Sequence, residues 1–237
     1  MPSIASTGAV CAILAAGAST RAGTDKITAD LGGQPVLAWS LVSAIASGTF
    51  ARIVVVVRPD VPQGAIEAIV RSRAPDTSLV VGGDTRTQSS WAALAAAQDA
   101  DVIAIHDSAR PFVPPSLFAR CVEIARARGS AVAGLPLADT VRRADEAGVA
   151  IEEVAREGLW SAQTPQAFRR EVLERARIAV ADRSFGDDAA AVRAAGLTVH
   201  MVLGERRNLK ITTMEDLAYA RELVAKGIVG MPALQIR

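Results

Sequence analysis

The chain has 237 residues, half of them hydrophobic, which is enough for one sizeable core or for one core with an appendage. Its formal net charge of +1 excludes a global field that would draw it to nucleic acid or to a membrane. Runs of about eighteen apolar residues and a basic N-terminal region are both missing, so the sequence predicts neither a membrane span nor a signal peptide.

Strands and helices are predicted to alternate along most of the chain. Short apolar runs predict strands at 10–14, 53–57, 79–81, 102–105 and 131–135. Segments with helical periodicity lie between them, at 35–47, 63–73, 87–97 and 116–128. This rhythm predicts an α/β fold with a mainly parallel, Rossmann-like twisted sheet and helices on both faces.

The rhythm stops between residues 136 and 160. Apolar and polar residues alternate around Val141 and again over 149–154, with Ala147 and Gly148 as a turn. This pattern predicts a protruding β-hairpin arm at about 137–159. A lone two-stranded arm is marginally stable, so we expect a second subunit to cover it in a homodimer.

After the arm the regular pattern returns. Helices are predicted at 169–181, 187–195 and 214–225, and a strand at 198–203. We therefore expect a single domain over residues 1–237 that carries the arm. Cys11 and Cys121 show no metal-ligand spacing, which predicts buried free thiols and a cytoplasmic location.

The segment 13–26, ILAAGASTRAGTDK, ends the first predicted strand in small residues. Small residues let backbone N–H groups approach a ligand closely, and the cations Arg21 and Lys26 that follow suit a polyphosphate. On these residues alone, a tight turn with two solvated basic side chains is an equal alternative.

Polar residues also follow the other predicted strands. Ligands of parallel sheets bind outside the carboxyl ends of the strands, so these residues are expected to meet at one edge. The edge predicts a nucleotide and a metal, while the strings GxGxxG and GxxxxGK[ST] are absent, which disfavours dinucleotide and P-loop enzymes. The residues are Gly82, Gly83, Asp84, Arg86, Ser89, His106, Asp107, Ser108, Arg110, Asp139, Thr140, Asn208 and Lys210.

Six strings occur in a recognisable order: LAAGASTR, GGDTRTQS, HDSARPFV, DTVRR, GLWSAQTPQAF and NLKITTMEDLAYA. Together they resemble the cytidylyltransferases of the nucleotide-sugar transferase type, and most closely the 2-C-methyl-D-erythritol 4-phosphate cytidylyltransferase family. The resemblance covers nearly the whole chain. It implies a glycosyltransferase-A-like fold and Mg²⁺-dependent transfer of a cytidylyl group from CTP to a polyol phosphate in non-mevalonate isoprenoid synthesis.

The resemblance also implies roles by matching position. The catalytic cations would be Arg21, Lys26, Arg156 and Lys210, with Arg156 reaching the neighbouring subunit's site. CTP would be bound by Ala15, Ala16, Gly17, Gly83, Asp84, Ser89 and Ser108. The acceptor would meet Asp107, Arg110, Thr140 and Thr164, and Asp107 would also hold Mg²⁺.

Simpler interpretations of these residues stay open. Asp107 can cap a following helix or turn, and Arg156 can pair with the nearby Glu152, Glu153 or Glu157. His106 is expected to be structural, packed or hydrogen-bonded beneath the site.

The chain departs from the family pattern at three positions. Asp25 stands where proline usually precedes the loop lysine, Ala155 replaces a common aspartate, and Gly186 replaces a threonine whose hydroxyl would contact the substrate phosphate. These changes leave two alternatives open: transfer to ribitol 5-phosphate or another polyol phosphate, and a catalytically silent nucleotide-binding paralogue.

Overall fold

The computed structural model describes residues 8–16, 26–59 and 64–234. The strands are β1 (Ala9–Leu14), β2 (Phe50–Val57), β3 (Ser78–Val81), β4 (Val102–Asp107), β5 (Ser130–Pro136), β6 (Val141–Ala144), β7 (Ala150–Val154), β8 (Trp160–Arg169) and β9 (Met201–Leu203). The helices are α1 (Val36–Ala46), α2 (Gly64–Arg73), α3 (Arg86–Ala96), α4 (Pro115–Arg128), α5 (Arg170–Val180), α6 (Asp188–Ala194) and α7 (Met214–Ala225). Among the described residues, no helix is both long and apolar enough to cross a membrane.

A seven-stranded sheet with the order β3-β2-β1-β4-β8-β5-β9 forms the centre of the fold. Only β8 runs against its neighbours, β4 and β5, so the predicted mainly parallel α/β sheet is confirmed. The sequence analysis assigned no strand to β8. Its Thr-Pro-Gln centre has weak strand propensity, and proline argues against a central strand, but pairing on both sides overrides these local preferences.

Helices cover both faces of the sheet, as predicted. In β1, Cys11 and Ile13 pack in the core cluster that includes residues of α1, α2 and α4. Val10 and Ala12 point the other way, into the cluster that includes residues of α3, α5 and α6. The alternation of side chains along a strand explains why these consecutive apolar residues can all be buried.

The last strand is shorter than the predicted 198–203. It begins at Met201, which pairs with Val132 of β5. Immediately before it, the Ser130 hydroxyl donates to the Thr198 carbonyl and accepts from the His200 N–H, so a side chain replaces the strand ladder there.

The predicted hairpin is present as a separate two-stranded sheet of β6 and β7. Gly148 has φ of 82° in its turn, a conformation that glycine adopts without strain. At the base, the Leu137 N–H donates to the Leu159 carbonyl at 3.0 Å, so the arm leaves the domain between β5 and β8. Val149 and Ile151 near its tip are each 62% exposed.

The strand order places β1 beside β4. From β1 the chain proceeds outward to β2 and β3, and it then returns to β4 on the other side. The order reverses at this pair of strands, which is where open α/β sheets form a ligand crevice. Leu14, the last residue of β1, pairs with Asp107, the last residue of β4.

Candidate functional site

Asp107 occupies the carboxyl end of β4 and is 9% exposed. Its Oδ2 lies 2.7 Å from Lys210 Nζ, and its Oδ1 lies 3.3 Å from Arg86 Nε. Burial alone would raise the pKa of this carboxyl, but Arg86 and Lys210, with Arg110, outweigh burial and hold the pKa well below its usual range. Asp107 is therefore an ionised carboxylate within a group of cations.

Arg86 connects Asp107 to a second buried carboxylate. A capping box of Thr85 and Gln88 starts α3, so Arg86 stands in the first turn of that helix. Its Nη1 lies 2.8 Å from Oδ2 of Asp188, which is 2% exposed. The charges thus alternate in sign along Asp188, Arg86, Asp107 and Lys210.

In the sequence, Arg86 stands out only as one of the strand-end residues, and Asp188 is not predicted to belong to the site. The pair Asp187–Asp188 carried a signal, because only the first aspartate of such a pair is needed to cap a helix. Asp187 does cap α6 by accepting from the Ala190 N–H, while Asp188 turns into the core. Burial raises the pKa of Asp188, although Arg86 acts in the opposite direction.

Arg110 and Thr164 join the same cluster. Arg110 Nη1 donates to the Asn208 carbonyl at 2.8 Å, and the Thr164 hydroxyl accepts from the Asp107 N–H at 3.1 Å. The structure therefore brings together four residues that the sequence predicted for catalysis or acceptor binding. They are Asp107, Arg110, Thr164 and Lys210.

His106 lies beneath this cluster and is completely buried. Burial, reinforced by Arg110 and Lys210 and opposed by Asp107, lowers its pKa to about 4. Both ring nitrogens lie at hydrogen-bond distance from protein groups, so the expected structural role of His106 is confirmed.

The nucleotide-binding residues near β1 are partly engaged with the protein itself. The Ala15 N–H donates to the Val56 carbonyl at 2.8 Å, and the Ser108 hydroxyl donates to the Leu14 carbonyl at the same distance. Ala16 follows β1 and is half-buried. Gly17 and Arg21 lie outside the described residues. The nucleotide-binding roles of these small residues and Ser108, and the catalytic role of Arg21, stay predictions.

The loop between β3 and α3 carries the predicted base and ribose contacts. A Cβ at Gly83 would lie 2.5 Å from the Gln88 Cβ, so the chain requires glycine there. The Ser89 hydroxyl donates to the Thr85 carbonyl at 3.1 Å, and Asp84 is exposed. The roles of Gly83, Asp84 and Ser89 toward CTP stay predictions.

Lys26 is linked to the segment that carries Lys210. Its Nζ donates to the Thr212 carbonyl at 2.5 Å, two residues beyond Lys210. This contact joins the side chain of one predicted catalytic cation to the backbone two residues beyond another.

Thr140 and Arg156 belong to the arm and do not enter the contacts described above. Thr140 is exposed and directly precedes β6, while the Arg156 guanidinium donates to the Ala138 carbonyl. Glu152 and Glu153 pair with Arg143 and Arg142, so they are engaged by arginines other than Arg156.

The donor set permits Mg²⁺ bound together with phosphate. Within the described ranges, no group of three or more His, Cys, Asp or Glu residues could hold a metal ion. At phosphate-transfer sites Mg²⁺ binds through one or two carboxylates and substrate phosphates, and it does not need an all-protein cage. Asp107, ionised at the end of β4, supplies one such carboxylate.

A buried carboxylate among Arg and Lys side chains, at the point where the strand order of an α/β sheet reverses, is an arrangement suited to an enzyme that binds nucleoside polyphosphates. Comparisons with known proteins agree. The sequence profile described as 2-C-methyl-D-erythritol 4-phosphate cytidylyltransferase (IspD) matches residues 9–226. The chain belongs to this family, as the sequence strings predicted.

Individual relatives support the same assignment. The 2-C-methyl-D-erythritol 4-phosphate cytidylyltransferase of Rhodococcus jostii is 39% identical over 92% of this chain and 96% of its own length. The crystal structure of the enzyme of that name from Thermus thermophilus has a TM-score of 0.74 and 31% identity, covering 90% of this chain and 98% of its own. The 4-diphosphocytidyl-2C-methyl-D-erythritol synthase structure from Anaerococcus prevotii has a TM-score of 0.80 over 92% of this chain and 99% of its own; at 24% identity, that likeness concerns the fold.

Proposed function

We propose that this protein transfers the cytidylyl group of CTP to 2-C-methyl-D-erythritol 4-phosphate, giving 4-diphosphocytidyl-2-C-methyl-D-erythritol and pyrophosphate in non-mevalonate isoprenoid synthesis. Family membership supports this reaction. The observation that carries it is the ionised, buried Asp107 held among Arg86, Arg110 and Lys210 where β1 and β4 end. We further propose that residues 1–237 form a single catalytic domain that acts in the cytoplasm.

The proposed chemistry joins two anions. An oxygen of the acceptor phosphomonoester attacks the α-phosphorus of CTP, the bond to the bridging oxygen breaks, and pyrophosphate leaves. A phosphate dianion is already nucleophilic, so no general base is required. The task of Arg110, Lys210 and Lys26 is to offset the repulsion between the reactants and to stabilise the developing charge.

We propose Mg²⁺ as the cofactor, held by Asp107 together with substrate phosphates. When bound, the ion would supply charge neutralisation on the phosphoryl oxygens. Asp107 is preorganised for this role, because its backbone N–H is held by Thr164 and its carboxylate stays ionised.

We also propose that the protein acts as a homodimer through the arm. The two-stranded sheet of β6 and β7 has exposed Val149 and Ile151, as a segment covered by a second subunit would have. If Arg156 acts in the neighbouring site, mixing Arg156→Ala and Lys26→Ala subunits restores some sites with both cations. Activity that stays absent after verified subunit exchange would contradict action between subunits.

A pyrophosphate-release assay with CTP and Mg²⁺ tests the reaction. We expect release with 2-C-methyl-D-erythritol 4-phosphate in preference to ribitol 5-phosphate. Preference for ribitol 5-phosphate would instead select the alternative acceptor, and CTP binding without release for any polyol phosphate would select the silent paralogue.

Gly186 offers a matched variant for this assay. A Cβ there would meet no atom of the described residues within 4 Å, so the described structure leaves room for Gly186→Thr. If the family's threonine hydroxyl meets the acceptor phosphate, this variant lowers the acceptor KM about fivefold, the equivalent of one neutral hydrogen bond. Gly186→Val adds the same bulk without the hydroxyl and is expected to leave KM unchanged.

A further inference from the structure

Both nitrogens of the buried His106 ring are occupied by protein groups. Nδ1 lies 2.9 Å from the Thr164 hydroxyl oxygen, and Nε2 lies 3.2 Å from the Arg110 carbonyl oxygen. Phe118 of α4 packs edge-on against the ring, with the centroids 5.1 Å apart. The ring is therefore held on both polar sides and on one face.

These partners determine where the ring proton resides. A carbonyl oxygen can only accept, so Nε2 must carry the hydrogen that it donates to Arg110. The Thr164 hydroxyl also meets the Asp107 N–H, which can only donate, so among the described residues the acceptor for the hydroxyl hydrogen is Nδ1. Nδ1 therefore carries no hydrogen of its own. The Thr164 oxygen then uses a lone pair for the Asp107 N–H, at 3.1 Å.

The hydrogen bonds continue from Thr164 and close into a ring. The Thr164 carbonyl accepts from Asn208 Nδ2 at 2.8 Å, and the Asn208 carbonyl accepts from Arg110 Nη1, also at 2.8 Å. The Arg110 carbonyl accepts from His106 Nε2, which closes the circuit of hydrogen bonds. Three separate segments take part: the end of β4 with its following turn, the middle of β8, and the segment that leads to Lys210.

This circuit holds the predicted reacting groups from below. Arg110 is fixed twice, by its backbone carbonyl and by its guanidinium, and Asp107 is fixed through its N–H. Asn208, which is completely buried, lies two residues before Lys210. Replacing one member of a closed polar network leaves buried partners unsatisfied, so its members are expected to act as a unit.

We propose that His106 is a positioning residue which, as the Nε2–H tautomer, holds Asp107, Arg110 and Lys210 in one arrangement for the transfer reaction. It does not touch the reacting atoms. The kinetic part of this proposal rests on the proposed function, whereas the tautomer can be measured without any substrate.

The first test is nitrogen NMR of the full chain labelled at histidine, at neutral pH. The chain has only two histidines, so a His200→Gln variant assigns the spectrum. We expect the His106 signals to show a protonated Nε2 and an unprotonated Nδ1. A Nδ1–H tautomer or a doubly protonated ring would overturn the proposal.

The second test separates positioning from bulk. His106→Gln can accept from Thr164 and donate to Arg110, whereas His106→Leu can do neither. We expect the leucine variant to lose about 10²-fold in kcat/KM for the acceptor, since misplacement by about 1 Å costs that much. The glutamine variant should recover most of this loss, and both should keep the wild-type KM for CTP. His200→Leu is the matched control, because His200 contacts Ser130 outside the site.

Equal activity of the glutamine and leucine variants would refute the positioning role. If His106→Leu does not fold, Thr164→Val removes the hydroxyl partner while keeping the shape of the side chain. In that variant Nδ1 of His106 loses its donor, so we expect its NMR signal to shift; an unchanged signal would contradict the circuit. If no polyol phosphate supports turnover, the proposed function fails, while the NMR measurements still decide the tautomer.

Discussion

The site and the arm contain the same kind of ion pair in opposite surroundings. At the site, the side chains of Asp107 and Asp188 are 13% and 2% exposed, and both meet Arg86. On the arm, Arg142 and Glu153 are 56% and 64% exposed, with their charged atoms 3.4 Å apart. Water screens the exposed arm pairs more strongly than the partly buried site pairs, so contacts of similar length differ in energy.

The difference shows what each region requires. Burying charged groups at the site is costly, and the oppositely charged side chains around Asp107 offset that cost. They give Asp107 a fixed position and a fixed charge. The charges of the arm are exposed and carry no such cost, and its exposed Val149 and Ile151 are the residues that the proposed second subunit would cover.

The largest expected effect is on turnover at the site. Lys210→Ala removes the cation 2.7 Å from Asp107, and we expect kcat to fall by about 10²–10³, as when one fixed charge-stabilising group is lost. Lys226→Ala is the control, since Lys226 pairs with Glu222 at the exposed end of α7. Steady-state kinetics of pyrophosphate release measures both. A similar kcat for the two variants would mean that the site cluster is no more important than the surface.

The next effect is on stability. Arg86→Leu leaves the buried Asp107 and Asp188 without their shared arginine, and we expect the free energy of unfolding to fall by about 3 kcal/mol. Glu153→Gln on the arm should cost less than about 1 kcal/mol. Urea denaturation of both variants gives the comparison. Comparable losses would erase the distinction between the two regions.

A smaller effect is expected on the stability of the protein at acidic pH. The pKa of His106 is lowered to about 4 in the folded protein, below its usual value of about 6.5, so the unfolded chain takes up the proton more readily. Stability therefore falls as the pH drops from about 6.5 toward 4, with a loss of about 2 kcal/mol by about pH 5. His106→Gln removes this dependence, and urea denaturation at several pH values measures it. Identical pH profiles of variant and wild type would contradict the assignment.

The smallest effect is expected on the arm itself. Arg143 and Glu152 lie 2.6 Å apart across β6 and β7, but both are more than half exposed. A double-mutant cycle of Arg143→Ala and Glu152→Ala should give a coupling energy of about 0.5 kcal/mol, which salt reduces. A coupling of several kcal/mol would show that this pair is shielded from water in the assembled protein.

Much of the fold followed from local pattern. The five β-branched residues at 53–57 predicted a strand buried on both faces, and β2 contains them. The pattern failed at β8, where Pro165 argues against a central strand and the pairing with β4 and β5 nevertheless forms one. Strand propensity reflects only residues that are close in sequence, whereas β8 forms because it pairs with strands that are distant in sequence.

The sequence likewise predicted only part of the site, namely the residues at the strand ends. Strand ends brought Asp107, Arg110 and Lys210 to one edge because a parallel sheet aligns its carboxyl ends. The buried partners beneath them were not predictable, since Asp188 meets Arg86 across about a hundred positions of sequence. The doubled aspartate indicates that Asp188 is not needed to cap α6, but only the packing shows that Asp188 is buried and that its partner is Arg86.

The reversed direction of β8 has a mechanical consequence. Because it runs against β5, the chain enters β8 directly from the arm, and four residues beyond Trp160 the same strand delivers Thr164 to the side of Asp107. The proposed second subunit would contact the arm at one end of β8, and the middle of the same strand carries Thr164, which positions Asp107. Dimer assembly and catalysis would then be coupled through β8. A substitution that alters the dimer contact at the arm would change the position of Asp107 without altering any residue of the site.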